Sequence, residues 1–529
     1  MGITKKSLIY LSLELVAIFL WLFFIGQATG ISGVSSDINM IDEGQFAAWI
    51  SHMLHGKMMY KDFYLPYGPL QIYPLYLLVK LLGVNMFLIR FDMTVVGVFL
   101  GLCVALFLLK ELKIQPLIRA ITTVFLILLP GVHIRYWIVA LFILLILEAF
   151  KKKSRLLALI SGILLAVTLL ESINVGIFAV IIFTGYISFL FVRSKNIKRD
   201  VGILGKFIFG FAFPLVIFSL FAIREGWLKD YIGAMTEVLT SASGINLANG
   251  QGLPDIFSGG QPTLSPLHVL QFAFSKSMLF YWSLLLMLLF LTIIVIRFFL
   301  RKTTKEDGII FLVLCFGFLI YTSIIGRSGH YFLLVPFVLI SGGYFLSLVF
   351  QSNRMKDTTS KILNVLVLSL FLLYGIRHLM IFRHTQFFNP LVVQSANLTV
   401  PRVTPLTISK GQAQDILMLQ DFFSKNTKST DTIFIFNNLP ALYFLLDREN
   451  PTYYDLPFLA YSREKRMEII SQLKRSSPKF IIEDKDSWAV DGVSDRQRLP
   501  EVITYIQTQY QKKTQLGHFI LYQKTYSAQ

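Results

Sequence analysis

The sequence predicts an α-helical polytopic membrane protein of about eleven transmembrane helices that carries a C-terminal extracytoplasmic α/β domain. Three observations predict it. Of 529 residues, 55% are hydrophobic and only 15% charged, whereas soluble proteins carry about 25% charged residues; mean hydropathy is +0.63. Apolar runs of about 18 or more residues recur before residue 380. Beyond Arg383 the pattern changes to short apolar strands alternating with amphipathic helices. The expected domains are 1–380, a helical membrane part, and 381–529, the α/β tail.

The first apolar run, Leu8 to Ile25, follows Lys5 and Lys6 and is long for a signal-peptide core. It is read as an uncleaved first span. The later spans follow from charge. The net charge of +18 could suggest nucleic acid, but 31 basic and 17 acidic residues precede position 381, against 18 and 14 after it. Of those 31, 21 fall in bursts: Lys5/Lys6, Lys110 to Arg119, Lys151 to Arg155, Arg193 to Lys206, Arg297 to Lys305 and Arg354 to Lys361. Bursts between apolar runs are the signature of cytoplasmic loops, so no nucleic-acid partner is expected.

If every burst is cytoplasmic, spans fall near 8–25, 87–109, 117–132, 136–150, 156–171, 175–192, 202–223, 270–296, 308–325, 331–350 and 362–380. An odd number puts the N-terminus inside and the tail outside the cytoplasmic membrane, together with 26–86, 224–269 and 326–330. Leu70 to Leu82 is too short to cross comfortably and is read as an interfacial or re-entrant helix. The stretch 243–266, rich in Gly, Pro and Ser, reads as an outer loop.

In the tail, helices are expected at Gln412 to Lys425, Pro440 to Leu446, Arg463 to Lys474 and Leu499 to Gln509. Strands are expected at Thr432 to Phe436, Lys479 to Glu483 and His518 to Tyr522. No Gly-rich phosphate loop joins a strand to a helix there. Cys103 and Cys315 sit in separate apolar runs and offer neither a disulfide framework nor a metal site.

Chemistry concentrates in the first outer segment. Asp42-Glu43 opens a stretch in which Phe46, Trp49, Ile50 and Met53 recur at helical spacing. A carboxylate pair at a helix N-terminus is favoured by the helix dipole and can also accept a proton from an incoming hydroxyl. His52 and His55 follow at i, i+3, and a divalent metal on Asp42, Glu43, His52 and His55 is one possibility, without zinc-like spacing. Glu14 lies within the first span and reads as a helix-packing residue. Glu171 with Ser172 and Asn174 marks the outer end of a hairpin.

The segment continues Gly56, Tyr60, Asp62, Phe63, Gly68, Pro69, Leu70, Gly83 and Arg90. It resembles the first outer loop of the GT-C glycosyltransferases, the polytopic enzymes that use polyprenyl-phosphate sugars, and most closely the group of the protein O-mannosyltransferases and aminoarabinose transferases. Arg327-Ser328-Gly329-His330-Tyr331 and the tail stretch Phe434 to Tyr443 are also similar to that group. The resemblance implies an integral-membrane glycosyltransferase that moves a sugar from a polyprenyl-phosphate donor to a glycan, lipid or protein acceptor of the cell envelope. Asp42 is then the base or acceptor-orienting carboxylate, and Glu43 its helper. The donor phosphate falls to Lys57, Arg90, Arg135, Arg327 and His330, and substrate contacts to Tyr60, Asp62, Tyr67 and His133. Where the aminoarabinose transferases place a phosphate-contacting Lys, this chain reads Phe63-Tyr64-Leu65-Pro66-Tyr67-Gly68-Pro69-Leu70. Lys57, Lys61 or Arg90 substitutes, or the donor is held differently, and neither of those two activities carries over.

A transporter or flippase of lipid-linked sugars would place acids and prolines in the middle of several helices, and here Glu14 is nearly alone. A late outer loop rich in Arg, as in an O-antigen ligase, is missing: 224–269 holds only Arg224 and Lys229 as basic residues. A non-catalytic envelope scaffold whose tail binds partners is the remaining alternative.

Overall fold

The computed structural model describes residues 37–129, 131–193, 197–248, 276–324, 332–351, 358–383, 399–487 and 493–525. The expected span 8–25 with Glu14, and the pair Arg327/His330, lie outside the described residues. Along the chain run α1 (Asp42–Leu54), α2 (Tyr73–Leu82), α3 (Met86–Arg90), α4 (Gly97–Glu111), α5 (Pro116–Leu128), α6 (Ile134–Lys152), α7 (Arg155–Glu171), α8 (Ile173–Arg193), α9 (Ile197–Arg224), α10 (Leu228–Ala248), α11 (Lys276–Phe299), α12 (Lys305–Ile324), α13 (Val335–Gln351) and α14 (Thr358–Arg383). The tail adds α15 (Lys410–Asn426), β1 (Ile433–Ile435), α16 (Ala441–Leu446), α17 (Arg463–Ser476), β2 (Phe480–Asp484), α18 (Asp495–Arg498), α19 (Pro500–Gln509), β3 (Tyr510–Leu516) and β4 (Phe519–Lys524).

Every expected span from residue 87 onward coincides with a helix. Among the described residues, 6 helices are long and apolar enough to cross a membrane: Met86–Glu111, Ile173–Val192, Lys198–Arg224, Met278–Phe299, Lys305–Ile324 and Phe332–Gln351. The expected outer loop 243–266 begins differently, because residues 243–248 close α10 and the remainder lies outside the described residues. Leu228 to Ala248 mixes Met235, Val238 and Leu239 with Thr and Ser, and the Gly/Ser content obscures that helical spacing in the sequence.

The chain divides into two compact units. The helical unit comprises the described residues of 96–218 and 252–389. Its turns are set by local chemistry. Pro116 occupies the first turn of α5, where a missing N–H costs nothing. The Ser154 hydroxyl caps α7 by accepting from the Leu157 N–H at 3.3 Å. α7 and α9 cross at glycines: a Cβ on Gly162 would stand 2.2 Å from the Phe207 carbonyl oxygen, and one on Gly210 2.2 Å from that of Leu159. Such small-residue crossings let backbones approach where lipid supplies no hydrophobic driving force. Acids meet the predicted basic bursts at helix ends: Arg297 with Asp307 at 3.0 Å, Lys152 with Glu148 at 3.0 Å, and Lys305 with Glu148 and with Glu111 at 3.4 Å.

The mixed unit comprises the described residues of 21–95, 219–251 and 390–529, so the first outer segment packs as one body with the tail. Its four-stranded sheet has the order β1-β2-β4-β3. β1 and β2 pair in parallel, Ile433 opposite Phe480, while β4 runs antiparallel to both β2 and β3. A core of Phe434, Phe436, Tyr454, Ile469, Leu473, Ile481, Val502 and Ile506 joins the sheet to α17 and α19. β3 has no counterpart in the expected elements. Its Tyr-Gln-Lys-Lys-Thr-Gln-Leu is mostly exposed, and lysines on an edge strand guard it against further pairing while hiding the apolar alternation by which strands are read.

The glycine crossing gives a direct test. Gly162→Val should destabilise the folded protein by about 1–3 kcal/mol or more through overpacking. Gly185→Ala on α8, where nothing lies within 4 Å, should be neutral or slightly stabilising. Thermal unfolding of the detergent-solubilised chain separates the two outcomes.

Candidate active site

α1 carries its chemistry on three faces. Asn39 organises its first turn: the Asn39 side-chain oxygen accepts from the N–H groups of Ile41 at 3.1 Å and Asp42 at 2.9 Å. The Asn39 amide nitrogen donates to Asp42 Oδ2 at 2.9 Å. Asp42 is exposed, held at a helix N-terminus whose partial positive charge favours the carboxylate. One and two turns on, at i+4 and i+7, Phe46 and Trp49 stack with Tyr67 at 6.3 and 5.7 Å. The Trp49 indole N–H donates to the Tyr64 carbonyl at 3.1 Å. The helix that begins with an exposed carboxylate thus continues into a buried aromatic cluster, Phe46 and Trp49, with Tyr67 half-buried at its edge.

Glu43 has a different environment. It is 6% exposed and Arg90 2%; Arg90 Nε and Nη2 donate to its two carboxylate oxygens at 2.8 and 2.7 Å. A second Arg90 Nη2 bond reaches the Asp37 carbonyl at 2.9 Å. This bidentate geometry matches a carboxylate to a guanidinium fork. Two residues expected to touch substrate from opposite charge classes are therefore each other's partners.

The third face of α1 packs against the tail. A Cβ on Gly44 would stand 2.5 Å from the Ala441 nitrogen, so only glycine admits α16. Further along, His52 Nε2 meets Asp455 Oδ1 at 2.7 Å, both side chains essentially sealed from solvent, and Asn450 donates to the same oxygen at 2.9 Å. His55 Nδ1 lies 2.7 Å from the Ser51 carbonyl and Nε2 3.4 Å from Asp447. Among the described residues no group of three or more His, Cys, Asp or Glu is arranged to hold a metal ion. Lys57 is bound to Glu449 at 3.2 Å and to the Asn450 carbonyl at 3.0 Å.

The turn after α1 explains the Gly-x-x-x-Tyr-x-Asp-Phe pattern structurally. Gly56 (φ +81°) and Tyr60 (φ +64°) adopt left-handed backbone, which a bulky residue takes only when its surroundings enforce it. The Tyr60 hydroxyl donates to the Tyr67 carbonyl at 2.8 Å, and the Tyr60 carbonyl accepts from the Tyr453 hydroxyl at 2.6 Å. Burial beside Trp227 and Tyr231 pushes the Tyr60 phenol well above its usual range. Asp62 Oδ2 closes the turn on the Met58 N–H at 2.7 Å, and Phe63 packs on His52 at 5.0 Å. Lys61, in the same turn, is exposed and has no ion pair among the described residues.

Lys465 on α17 was not singled out in the sequence. Its ammonium forms an ion pair with Glu237 and lies over the Tyr461 ring at 4.3 Å and the Tyr64 and Tyr454 rings at 5.8 Å. Burial pushes it down to about 8 while Glu468 pulls it up. No local signal marks it, since Glu237 and Tyr64 lie hundreds of residues upstream.

In the helical unit, His133 Nδ1 accepts from the Arg135 N–H at 3.2 Å and caps α6. Its ring fills the space beside Gly97, where a Cβ would stand 2.1 Å from Nε2. Arg135 Nη2 donates to the Ser172 hydroxyl at 3.3 Å, and its guanidinium lies 5.5 Å from the Tyr136 ring.

The buried pair sets a measurable cycle. Glu43→Gln or Arg90→Met alone should cost about 3–5 kcal/mol, because either leaves one buried charge without its partner. The double variant should recover much of that loss, read from unfolding midpoints of the three proteins. Equal additive losses would show that the two side chains do not depend on each other.

No family model matches the chain, and no curated protein matches it in sequence. Solved structures do match. The archaeal oligosaccharyltransferase AglB from Archaeoglobus fulgidus, in complex with an inhibitory peptide and a dolichol-phosphate, superposes with TM-score 0.57 at 11% identity over 99% of this chain and 75% of that one. ArnT from Cupriavidus metallidurans matches at TM-score 0.52 and 10% identity, with 98% of both chains covered, and its form bound to undecaprenyl phosphate at TM-score 0.50 and 12% identity. At such identities the likeness is one of fold alone, shared by this chain with AglB and ArnT.

Proposed function

We propose that this protein is a membrane glycosyltransferase that transfers a sugar from a polyprenyl-phosphate donor to a hydroxyl acceptor on the extracytoplasmic side of the cytoplasmic membrane, with Asp42 as the base. The observation that carries this reading is the division within one dipeptide: Glu43 is neutralised by Arg90, and Asp42 stays exposed at a helix N-terminus in the same segment as the half-buried Tyr67. The fold shared with AglB and ArnT supports a lipid-linked donor.

The chemistry follows from the two carboxylates. The acceptor oxygen attacks the anomeric carbon as the bond from that carbon to the phosphate oxygen breaks. The polyprenyl phosphate leaves with the electron pair, and the acceptor proton passes to Asp42. A single carboxylate suffices when the sugar is displaced in one inverting step. Tyr67, half-buried, offers a ring face and a polar edge to a sugar, and the buried Phe46 and Trp49 back it from beneath. Glu43 and Arg90 then act as positioning residues that fix the start of α1.

The leaving phosphate needs cations. Arg90 is committed to Glu43 and Lys57 to Glu449, and Lys61, exposed in the turn after α1, is the residue of this unit proposed for the phosphate.

Transfer from a panel of undecaprenyl-phosphate sugars, measured in proteoliposomes with cell-envelope acceptors, tests the reading. Asp42→Asn should lower turnover by about 10²–10⁴-fold with an unchanged unfolding midpoint. Lys61→Met should weaken donor use about tenfold, whereas Lys57→Met should act on stability. Turnover undiminished in Asp42→Asn would remove Asp42 from the mechanism.

A further inference from the structure

A cavity of about 390 Å³ lies in the helical unit, away from the residues discussed above. It is bounded by the last turn of α6, the end of α8, the start of α9 and the start of α12, with Lys151, Arg199 and Lys305 among its lining side chains. All three belong to the basic bursts whose distribution assigns them to the cytoplasmic side. That volume is at the lower end of the range of small-ligand pockets, about 300–1,000 Å³.

The charge inventory narrows the ligand. Lys305 already answers Glu148 and Glu111. Arg199 answers Asp200 at 3.1 Å through both Nε and Nη2. Lys151 has no ion pair among the described residues. Counting Lys152, which also meets Glu148 at 3.0 Å, four basic groups (Lys151, Lys152, Arg199 and Lys305) stand against three acidic ones (Glu111, Glu148 and Asp200), a surplus of one positive charge, and the Tyr186 hydroxyl lies in the wall. A phosphomonoester or a nucleotide polyphosphate carries two or more negative charges and would be under-matched. A phosphodiester carries one.

The walls point to a lipid. The cavity sits where helices of membrane-spanning length end, the level at which headgroups lie. Phe150, Leu147 and Leu190 form its apolar side, with Phe150 set edge-on to Tyr186 at 6.1 Å. On the same helices Val192 is 88% exposed and Val201 51% exposed, and these surfaces can receive acyl chains. Basic recesses between spans on the cytoplasmic side are a known mode of anionic headgroup binding.

We propose that this cavity binds the headgroup of an anionic glycerophospholipid, its phosphodiester on Lys151 and Arg199 and its polyol hydroxyls on Tyr186. The proposal is independent of the sugar-transfer reading. Native mass spectrometry of the full chain in detergent, titrated with phosphatidylglycerol and with phosphatidylcholine, tests it. The wild type should retain phosphatidylglycerol preferentially, and Lys151→Gln with Arg199→Gln should bind it at least about tenfold more weakly. Lys151→Arg should bind as the wild type does. Lys151→Gln alone, an exposed position, should keep the wild-type unfolding midpoint and still lose affinity, which separates binding from folding. Undiminished phosphatidylglycerol binding by the double variant would overturn the site, and displacement of the lipid by millimolar inorganic phosphate would overturn its assignment to a lipid.

Discussion

The buried pair of Glu43 and Arg90 is the interaction on which the rest of the mixed unit turns. Its two charges are nearly sealed from water, a position tolerated only because the guanidinium meets both carboxylate oxygens. The pair ties the first turn of α1 to the last turn of α3, across the loop, α2 and the turn between them. It also separates the Asp42-Glu43 dipeptide: one carboxylate is buried against Arg90, and its neighbour, turned by about 100° around the helix, is exposed.

Around that pair the first outer segment is fastened to the tail along its length. Asp37 accepts from Ser409, Gln412 exchanges hydrogen bonds with the Ile38 backbone, Gly44 admits Ala441, and His52 reaches Asp455. Most of these contacts involve groups that burial would penalise if unpaired. A candidate site on α1 is consequently held by a folded domain rather than by a free loop, and catalysis benefits from that rigidity because reacting groups must be placed to within a fraction of an ångström.

Much of this was legible in the sequence, for identifiable reasons. Apolar runs and basic bursts located the expected spans from residue 87 onward, since bilayer thickness and loop charge leave few alternatives, whereas α10, mixed with Thr, Ser and Gly, was not located. β2 and β4 were readable because Ile481, Ile482 and Leu521 are apolar and buried, whereas β3 was not, because an edge strand carrying Lys512 and Lys513 looks like a loop. The acidic pair was conspicuous among so few outer acids. What the chain could not reveal was partnership: Arg90 and Lys57 looked like free cations until Glu43 and Glu449 were beside them, and Tyr60 and Asp62 looked like substrate contacts until the left-handed turn they build was seen. The bond from His52 to Asp455 could not be read either, because the two are 403 residues apart.

Unlike charges cluster at the helix ends of the helical unit, and unlike roles divide a single dipeptide in the mixed unit; in both, few ionisable residues are available and most are committed to each other. The most direct measurement of the central claim is a cryo-electron microscopy map of the protein with a bound polyprenyl-phosphate sugar and an acceptor. The account expects the acceptor hydroxyl within about 3 Å of Asp42, in reach for proton transfer, with the Glu43 and Arg90 pair intact. An acceptor bound well away from Asp42, or one that draws Glu43 out of its bond to Arg90, would contradict it.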